Sequence, residues 1–361
     1  MPIRPLRLLQ TLEFMRRLRI AVVGLGAVGR EHARAIRRIA DLELVGGVDP
    51  SDGGAAFCSD LGITHFRRIE DVLELAELDG VVVATPNDLH VTQTRLCISR
   101  GLAVLLEKPI SHSLQEAREL VRDIEQSNAL VLIGHHRAHS AIMRKACELI
   151  DTGFLGDLVC IAGSATFCKP DSYFAQAPWR ALPGAGPILI NMVHEVHSLR
   201  MLCGEIVEVQ ALASRQHRRL QVEESACVNM RFSNGALGSF LLSDVAASSR
   251  SWEQTSGENS AYARDPNEDC YCLTGRKGTL LIPTLRSKVF PPEARSWFTP
   301  LVEAQHAAGI NDPLQQQMAH FAKVIRGEEN PLVTARDGMV NLSVVEAISK
   351  AAKSGNTVKL Q

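Results

Sequence analysis

Short apolar runs alternate with amphipathic segments from Arg19 to about Gly134. The short runs predict buried strands, and the segments with apolar residues every three or four positions predict helices. Because strands that alternate with helices favour right-handed crossovers, this pattern predicts a doubly wound parallel sheet, an α/β fold. The predicted strands cover 20–23, 42–48, 63–66, 80–84, 102–106 and 130–133, and the predicted helices cover 28–40, 55–61, 69–76, 89–100 and 114–126.

The pattern changes after Gly134. A helix over 141–150 leads to a strand near 158–167, and an irregular stretch rich in proline and glycine runs from Lys169 to Pro187. A helix over Ile188–Leu202 then precedes strands whose apolar and polar positions alternate, which predicts an α+β domain with a predominantly antiparallel open sheet. The further predictions are strands at 206–214, 226–232, 236–244, 270–274 and 279–282, a polar loop over 246–268, and two C-terminal helices starting at Asp312-Pro313 and after the capping box Thr334-Ala335-Arg336-Asp337.

The two patterns divide the chain into a first domain over 19–135 and a second over 136–361. We expect the last helices to pack back on the first domain. Residues 1–18 carry several arginines but lack the apolar segment and cleavage site of a signal peptide, so we predict a disordered extension there.

The composition excludes several classes of protein. The 361 residues are 45% hydrophobic and 22% charged, as in an ordinary globular protein. A net charge of −1 gives no reason to expect nucleic acid as a partner. No apolar run approaches the roughly eighteen residues of a membrane span. The nine scattered cysteines form no C-x-x-C pair and fit the reduced thiols of a cytoplasmic protein better than a disulfide framework.

A glycine-rich turn follows the first predicted strand. In this turn Gly24 permits a tight turn, Gly26 lets a pyrophosphate approach the backbone, and Gly29 lets the next helix pack closely on the strand. Asp49 ends the second predicted strand at the distance expected for a group that binds the ribose hydroxyls. Because the next residues, 50–52, contain no Arg or Lys to hold a 2′-phosphate, the turn predicts a dinucleotide site that prefers NAD over NADP.

Two other predicted strand ends carry polar residues, Thr85-Pro86-Asn87 and Glu107-Lys108-Pro109. Ligands of doubly wound sheets bind at the carboxyl ends of the strands. Pro109 keeps the backbone of Lys108 out of the helical region, so the lysine is expected to point over this edge of the sheet. The alternative is a surface lysine that simply follows a strand.

The helix predicted over Ile188–Leu202 carries a polar stripe. His194 lies at its middle, with Asn191 and His197 about 60° to either side. A histidine titrates near neutral pH and suits the removal of an alcohol proton, although a core histidine is the alternative. We assign no metal site, because His194 and His197 are three residues apart and not the four of a zincin helix.

Taken together, these motifs resemble the Gfo/Idh/MocA family of nicotinamide-dependent oxidoreductases, which includes glucose–fructose oxidoreductase and inositol dehydrogenase. The resemblance rests on the glycine turn, on Thr85-Pro86-Asn87 with His90, on Glu107-Lys108-Pro109, and on Gly184-Ala185-Gly186 followed by His194. It implies that Lys108 lies beside the nicotinamide and hydrogen-bonds the reacting hydroxyl, and that His194 accepts the proton. On this basis the expected cofactor-binding residues are Gly24, Gly26, Ala27, Val28, Gly29, Asp49, Thr85, Pro86, Asn87, His90, Glu107, Lys108 and His136, and the expected substrate-binding residues are Asn191, His197, Tyr173, Trp179 and Arg180.

The chain departs from the family pattern at two positions beside His194. Many sugar dehydrogenases of the family carry an aspartate four residues before this histidine and often another three residues after it. Here the positions hold Ile190 and His197. These departures leave the proton relay and the identity of the substrate open.

The motifs and the resemblance predict an NAD-dependent dehydrogenase that oxidises a secondary alcohol of a sugar, polyol or cyclitol-like compound. Lys108 and His194 would then meet only across a cleft between the domains. One alternative retains the NAD and uses transient oxidation for elimination or glycoside cleavage, and another is a catalytically silent NAD- or sugar-sensing regulator. The resemblance and the alternating pattern of the open sheet also predict a homodimer or homotetramer.

Overall fold

The computed structural model describes residues 16–360. The disorder predicted for residues 1–15 therefore lies outside the described residues. The next three residues are ordered parts of the fold, although the predicted extension included them. Arg16 forms an ion pair with Asp79 at 2.6 Å, Arg17 Nε donates to the Leu42 carbonyl at 3.0 Å, and Leu18 begins the first strand.

The described chain forms two compact units. The first contains the residues up to His136 together with Leu314–Val340, and the second contains Arg137–Pro313 together with residues 341–360. Among the described residues no helix is long and apolar enough to cross a membrane.

The first unit is built around a six-stranded parallel sheet in the order β3-β2-β1-β4-β5-β6. All residues of β4 and β5 are buried, as expected for strands covered by helices on both faces. The predicted doubly wound α/β fold is confirmed. Its strands are β1 (Leu18–Val23), β2 (Leu42–Val48), β3 (Thr64–Phe66), β4 (Gly80–Val83), β5 (Ala103–Leu106) and β6 (Val131–Ile133), and its helices before His136 are α1 (Ala27–Arg37), α2 (Asp52–Leu61), α3 (Ile69–Leu73), α4 (His90–Ile98) and α5 (Leu114–Ser127).

The second unit contains a nine-stranded sheet in the order β14-β13-β12-β11-β7-β10-β9-β8-β15. Only β7 and β10 pair in parallel, so the prediction of a predominantly antiparallel sheet is confirmed. The strands are β7 (Leu158–Thr166), β8 (Ile206–Ser214), β9 (Ser225–Phe232), β10 (Leu237–Ser243), β11 (Tyr271–Gly275), β12 (Gly278–Ile282), β13 (Arg286–Val289), β14 (Val302–Gln305) and β15 (Val358–Lys359), and the helices that complete the chain are α6 (Ala141–Asp151), α7 (Asp171–Gln176), α8 (Pro187–Ile190), α9 (Met192–Cys203), α10 (Trp252–Ser256), α11 (Pro313–Ile325) and α12 (Ala335–Ser354).

Several elements of the second unit differ from the prediction. The single helix predicted over Ile188–Leu202 is two helices, α8 and α9, which meet at Asn191. The polar loop predicted over 246–268 contains α10, because the side chain of Trp252 is buried in the core there. Strands β13, β14 and β15 were not predicted, since each has at most four residues and none is an apolar run.

Hydrogen bonds at helix starts follow the sequence signals. The Thr334 hydroxyl accepts from the Asp337 amide at 3.2 Å, and the Asp337 carboxylate accepts from the Thr334 amide at 3.0 Å, which completes the predicted capping box of α12. At α5 the Ser113 hydroxyl accepts from the Glu116 amide at 3.3 Å, but the Glu116 carboxylate accepts from Ser111 instead of the Ser113 amide. The sequence Ser113-Leu114-Gln115-Glu116 predicts a capping box at α5, and only half of it forms.

The turn between β1 and α1 depends on the absence of side chains. Gly24 has a φ of +89°, and a Cβ there would lie 2.5 Å from the Ala84 carbonyl oxygen. A Cβ on Gly29 would lie only 1.8 Å from the Gly24 carbonyl oxygen, whereas a Cβ on Gly26 would meet no atom within 4 Å. The backbones of α1 and β1 therefore touch at Gly29, and space is left open at Gly26.

We expect Gly29→Ala to destabilise the protein and Gly26→Ala to leave its stability nearly unchanged. The methyl group at position 29 forces two backbones apart, at a cost of roughly 1–3 kcal/mol or more. Urea unfolding of both variants measures the difference. Equal midpoints for the two variants would contradict this account of the turn.

Candidate cofactor and substrate sites

Asp49 ends β2 next to the glycine turn. Its Oδ2 accepts from the Leu25 amide at 2.9 Å, and its Oδ1 accepts from the Ser51 amide at 2.9 Å. Burial opposes ionisation, but the hydrogen bonds from Ser51 and Leu25 hold the pKa of Asp49 below its usual value. The carboxylate is therefore charged and fixed at the edge of the sheet where the sequence places the ribose.

Basic side chains lie near Asp49 in space, which the sequence argument missed. The guanidinium of Arg30 donates to the Leu25 and Gly53 carbonyls at 2.9 Å each, and Arg67 donates to the Pro50 carbonyl at 2.8 Å. The absence of Arg and Lys from residues 50–52 thus does not make this region free of positive charge.

His90 connects two of the strand ends that the sequence singled out. It is fully buried, with Nδ1 2.8 Å from the Pro109 carbonyl oxygen and Nε2 2.9 Å from the Thr85 carbonyl oxygen. Burial lowers the pKa of His90 despite these two contacts. A neutral imidazole donates to only one of these carbonyl oxygens, and its other nitrogen contacts the second, so the ring packs between the loop after β4 and the loop after β5.

Glu107 anchors the segment that carries Lys108. Its Oε1 lies 2.7 Å from His32 Nε2, and its Oε2 accepts from the Lys108 amide at 3.2 Å. Burial acts to raise the pKa of Glu107, but the His32 hydrogen bond and the nearby charges of Lys108 and His136 bring it below its usual value. The ionised carboxylate thus orients the backbone of Lys108, whose side chain is half-buried. The role of His32 was not predicted, although its position one turn after Gly29 on α1 was a signal.

The break at Asn191 separates residues that the prediction placed on one stripe. His194 lies in the first turn of α9, its amide bonded to the Asn191 carbonyl at 3.1 Å, and it is half-buried. His197 is buried, and its Nδ1 lies 3.2 Å from Asn341 Nδ2. This position favours the core-histidine interpretation for His197, while the side chain of His194 stays closer to the surface.

Lys169 is a candidate that the sequence did not indicate. Its Nζ lies 2.8 Å from Asn191 Oδ1, 3.2 Å from Asp244 Oδ2 and 4.9 Å from the centre of the Tyr173 ring. Arg180 lies over the same ring at 4.0 Å, whereas Trp179 is 56% exposed. Asn191, Asp244 and the Tyr173 ring therefore contact Lys169, and Arg180 lies over the same ring.

A buried network behind α9 was also missed. Arg137 donates to Glu195 at 2.7 Å and to Glu253 at 3.0 Å, and the Tyr271 hydroxyl donates to the other oxygen of Glu195. Because Glu195 follows His194 directly, these bonds fix the helix turn that presents His194. In the adjoining loop, burial raises the pKa of Glu258 to about 7.

His135, His136 and His139 lie close together in sequence, where the first unit ends at His136 and the second begins at Arg137. His136 and His139 bound a single 3₁₀ turn, and His135 precedes it. Within residues 16–360 no group of three His, Cys, Asp or Glu side chains converges as metal ligands do.

Comparison with known proteins connects both units to one family. The sequence model for the Gfo/Idh/MocA oxidoreductase family with an NAD-binding Rossmann fold matches residues 18–135, and the model for the family's C-terminal domain matches residues 143–281. The rhizopine catabolism protein MocA of Rhizobium meliloti is 26% identical over 340 residues, which cover 93% of this chain and 95% of that protein. The scyllo-inositol 2-dehydrogenase (NAD(+)) of Bacillus subtilis is 24% identical, with 95% and 96% covered.

Solved structures show the same fold. The WlbA dehydrogenase of Bordetella pertussis, determined in complex with NADH and UDP-GlcNAcA, superposes with a TM-score of 0.76 at 21% identity, covering 96% of this chain and 99% of that one. This chain shares both domains with these proteins, in the same order and over nearly its full length. The chain therefore belongs to the Gfo/Idh/MocA family of oxidoreductases and carries that family's NAD-binding Rossmann domain.

Proposed function

We propose that this oxidoreductase uses Lys108 and His194 to oxidise a secondary alcohol of a sugar, polyol or cyclitol-like substrate, with NAD as the hydride acceptor. The observation that carries the proposal is the anchoring of the Lys108 segment. Glu107, His32 and His90 hold the loop after β5 through buried hydrogen bonds, which is far more support than a surface lysine needs. The segment that they hold carries Lys108, which the family resemblance expects beside the nicotinamide.

The glycine turn and Asp49 fit a dinucleotide. Open space at Gly26 and the unpaired amides at the start of α1 suit a pyrophosphate, and the charged Asp49 suits the ribose hydroxyls. Bound nicotinamide would accept the hydride, and the protein would supply placement and a path for the proton. In this assignment Thr85, Asn87 and His90 hold the loop that borders the cofactor.

Lys108 and His194 receive different tasks. The ammonium of Lys108 would donate a hydrogen bond to the substrate oxygen, where charge changes during the reaction. His194 would take the hydroxyl proton as general base. Asn191, whose carbonyl fixes the His194 amide, and Arg180 are assigned to substrate binding.

An absorbance screen for NADH formation tests the function. The panel contains sugars, polyols, cyclitols and sugar acids, each with NAD, and the expected result is NADH formation with at least one member. Turnover of a substrate without NADH release would favour the alternative that retains its cofactor. Tight NAD binding with no turnover of any panel member would favour a silent sensor.

We expect the unmodified protein to bind NAD more tightly than NADP, because the carboxylate of Asp49 repels a 2′-phosphate. Arg30 and Arg67 keep their charges, but they already donate to carbonyl oxygens, and Arg67 also pairs with the Asp52 carboxylate at 2.9 Å, so neither is set aside to hold a 2′-phosphate. Asp49→Asn keeps the shape and should reduce the preference roughly 10- to 100-fold. Calorimetric titration of both proteins with NAD and with NADP measures this preference. Equal affinities of the unmodified protein for the two cofactors would refute the role assigned to Asp49.

Lys108→Ala should lower kcat on the order of a hundredfold or more, because it removes a positive donor from the reacting oxygen. NAD affinity should change much less than kcat. Lys350→Ala, on an exposed part of α12, serves as the control. Normal turnover in Lys108→Ala would remove this residue from the mechanism.

His194→Ala should reduce kcat roughly 10²- to 10⁴-fold and flatten the acid limb of the pH profile, since it removes the general base. NAD binding should persist almost unaltered. Steady-state kinetics across pH, with calorimetry for the cofactor, provide both readouts. Turnover near that of the unmodified protein would mean that another group takes the proton.

We also propose that the outer face of the second sheet pairs with the same face of another copy. Leu212 and Leu241 both lie opposite Cys227 on neighbouring strands, and all three side chains are exposed. An apolar row of this kind is typical of an interface. Light scattering should show a dimer or tetramer. Leu241→Glu should shift the oligomeric state towards the monomer, whereas the control Leu332→Glu, in the first unit, should leave it unchanged. A monomeric unmodified protein at micromolar concentration would disprove the pairing.

The cytoplasm is the compartment we propose for the protein. All nine cysteines are free thiols, and several of them, such as Cys160 and Cys227, are exposed. Exposed free thiols persist best in a reducing compartment.

A further inference from the structure

Three positively charged side chains converge in the second unit near α9. Lys169 and Arg218 share one carboxylate, with Arg218 Nη1 2.6 Å from Asp244 Oδ1 and Lys169 Nζ 3.2 Å from Asp244 Oδ2. Arg218 also donates to the Lys169 and Asp244 carbonyls, and its amide donates to Glu224 at 2.7 Å. Protein groups therefore satisfy Arg218.

The third cation, Arg180, has no such partner. Its Nη1 donates to the Tyr173 carbonyl at 2.8 Å, and its guanidinium lies 4.0 Å from the centre of the Tyr173 ring. Its Nε is buried without an acceptor, and no carboxylate of residues 16–360 lies within ion-pair distance of it. An N–H withdrawn from water without an acceptor carries a free-energy cost, which an acceptor on a ligand would remove.

Lys169 shares the aromatic ring with Arg180. Its side chain is 11% exposed, and its Nζ lies 4.9 Å from the ring centre. Burial lowers the pKa of Lys169, and Arg218 and Arg180 lower it further against the effect of Asp244. The two like charges repel each other, so an anion that contacts both would relieve an unfavourable arrangement.

The carboxylates nearby already accept hydrogen bonds from other protein groups. Asp244 is bonded to both Lys169 and Arg218, and Glu224 accepts the amides of His217 and Arg218. Glu223 accepts the Ile188 amide at 2.9 Å at the start of α8, and burial raises its pKa. None of these carboxylates neutralises Arg180.

Lys169 contacts Asn191, which lies three residues before the proposed base His194. Lys169 Nζ is 2.8 Å from Asn191 Oδ1, and the Asn191 carbonyl accepts from the His194 amide. Within the second unit, the unsatisfied guanidinium, the lysine and the histidine turn therefore belong to one neighbourhood. An anion held there would belong to the molecule on which His194 acts.

We infer that Arg180 and Lys169 bind a carboxylate of the substrate, so that the substrate is a polyhydroxy acid and not a neutral sugar or polyol. The inference rests on the proposed function and narrows its substrate class. The planar guanidinium of Arg180 matches the two oxygens of a carboxylate, and Lys169 adds a second positive charge. A phosphate would meet the same charges, so the experiment separates the two groups.

The test pairs acids with neutral compounds of similar shape. NADH formation and calorimetric binding to the NAD-loaded protein are measured with gluconate and glucuronate, with sorbitol and myo-inositol, and with a hexose phosphate. The acids are expected to bind and react best. Arg180→Gln should raise KM for the acids roughly 10- to 100-fold, the range of a hydrogen bond to a charged group, with a smaller change in kcat. Arg180→Lys should restore part of the loss, and Arg215→Gln, at an exposed arginine, should have no effect.

The possible results distinguish a failure of the carboxylate site from a failure of the proposed dehydrogenase function. Equal or better turnover of neutral polyols, unchanged in Arg180→Gln, would overturn the carboxylate site and leave the dehydrogenase intact. Preference for the hexose phosphate would also overturn it. Acid binding that is lost in Arg180→Gln, in a protein that oxidises none of the panel, would support the site and refute the dehydrogenase.

Discussion

The first unit depends on the contact between Gly29 and the Gly24 carbonyl, where α1 lies directly against the end of β1. Because no side chain separates the two backbones, the position of the helix on the sheet is fixed within narrow limits. His32, one turn further along α1, is thereby brought to Glu107 at the end of β5. A steric requirement at one glycine thus reaches the Lys108 segment through a single buried hydrogen bond.

Local sequence was sufficient to predict most of the first unit. Strands β4, β5 and β6 are fully apolar and helices α1 and α5 are strongly amphipathic, so the period of the pattern identifies these elements, and the glycine turn has the geometry that its spacing suggests. Charge around Asp49 was harder to predict. Arg30 and Arg67 are distant from Asp49 in sequence and reach its surroundings only after folding, so an argument from residues 50–52 could not include them.

Several features of the second unit could not be predicted from the local sequence pattern. The apolar period runs through Asn191 without interruption, so nothing in the pattern marks the break between α8 and α9. Trp252 stands in a polar segment but is buried by residues from other elements, which makes its short helix a product of tertiary packing. The sequence also did not indicate the contacts made by Lys169, Arg137 and Glu195, because their partners come from distant parts of the chain.

The order of strands in the second sheet has a consequence for how the chain acquires its fold. Strand β7 is the first of this sheet to be synthesised, yet it lies in the interior between β10 and β11. Cys160 pairs with Leu237 on one side and with Thr274 on the other. Neither edge of β7 can therefore form its native hydrogen bonds until much later segments of the chain have been synthesised. Closing such long loops slows folding, and an unpaired strand in the interval is open to association with other chains. Assembly of this unit is therefore expected to be the slow step in the maturation of the protein and the one most dependent on protection from aggregation.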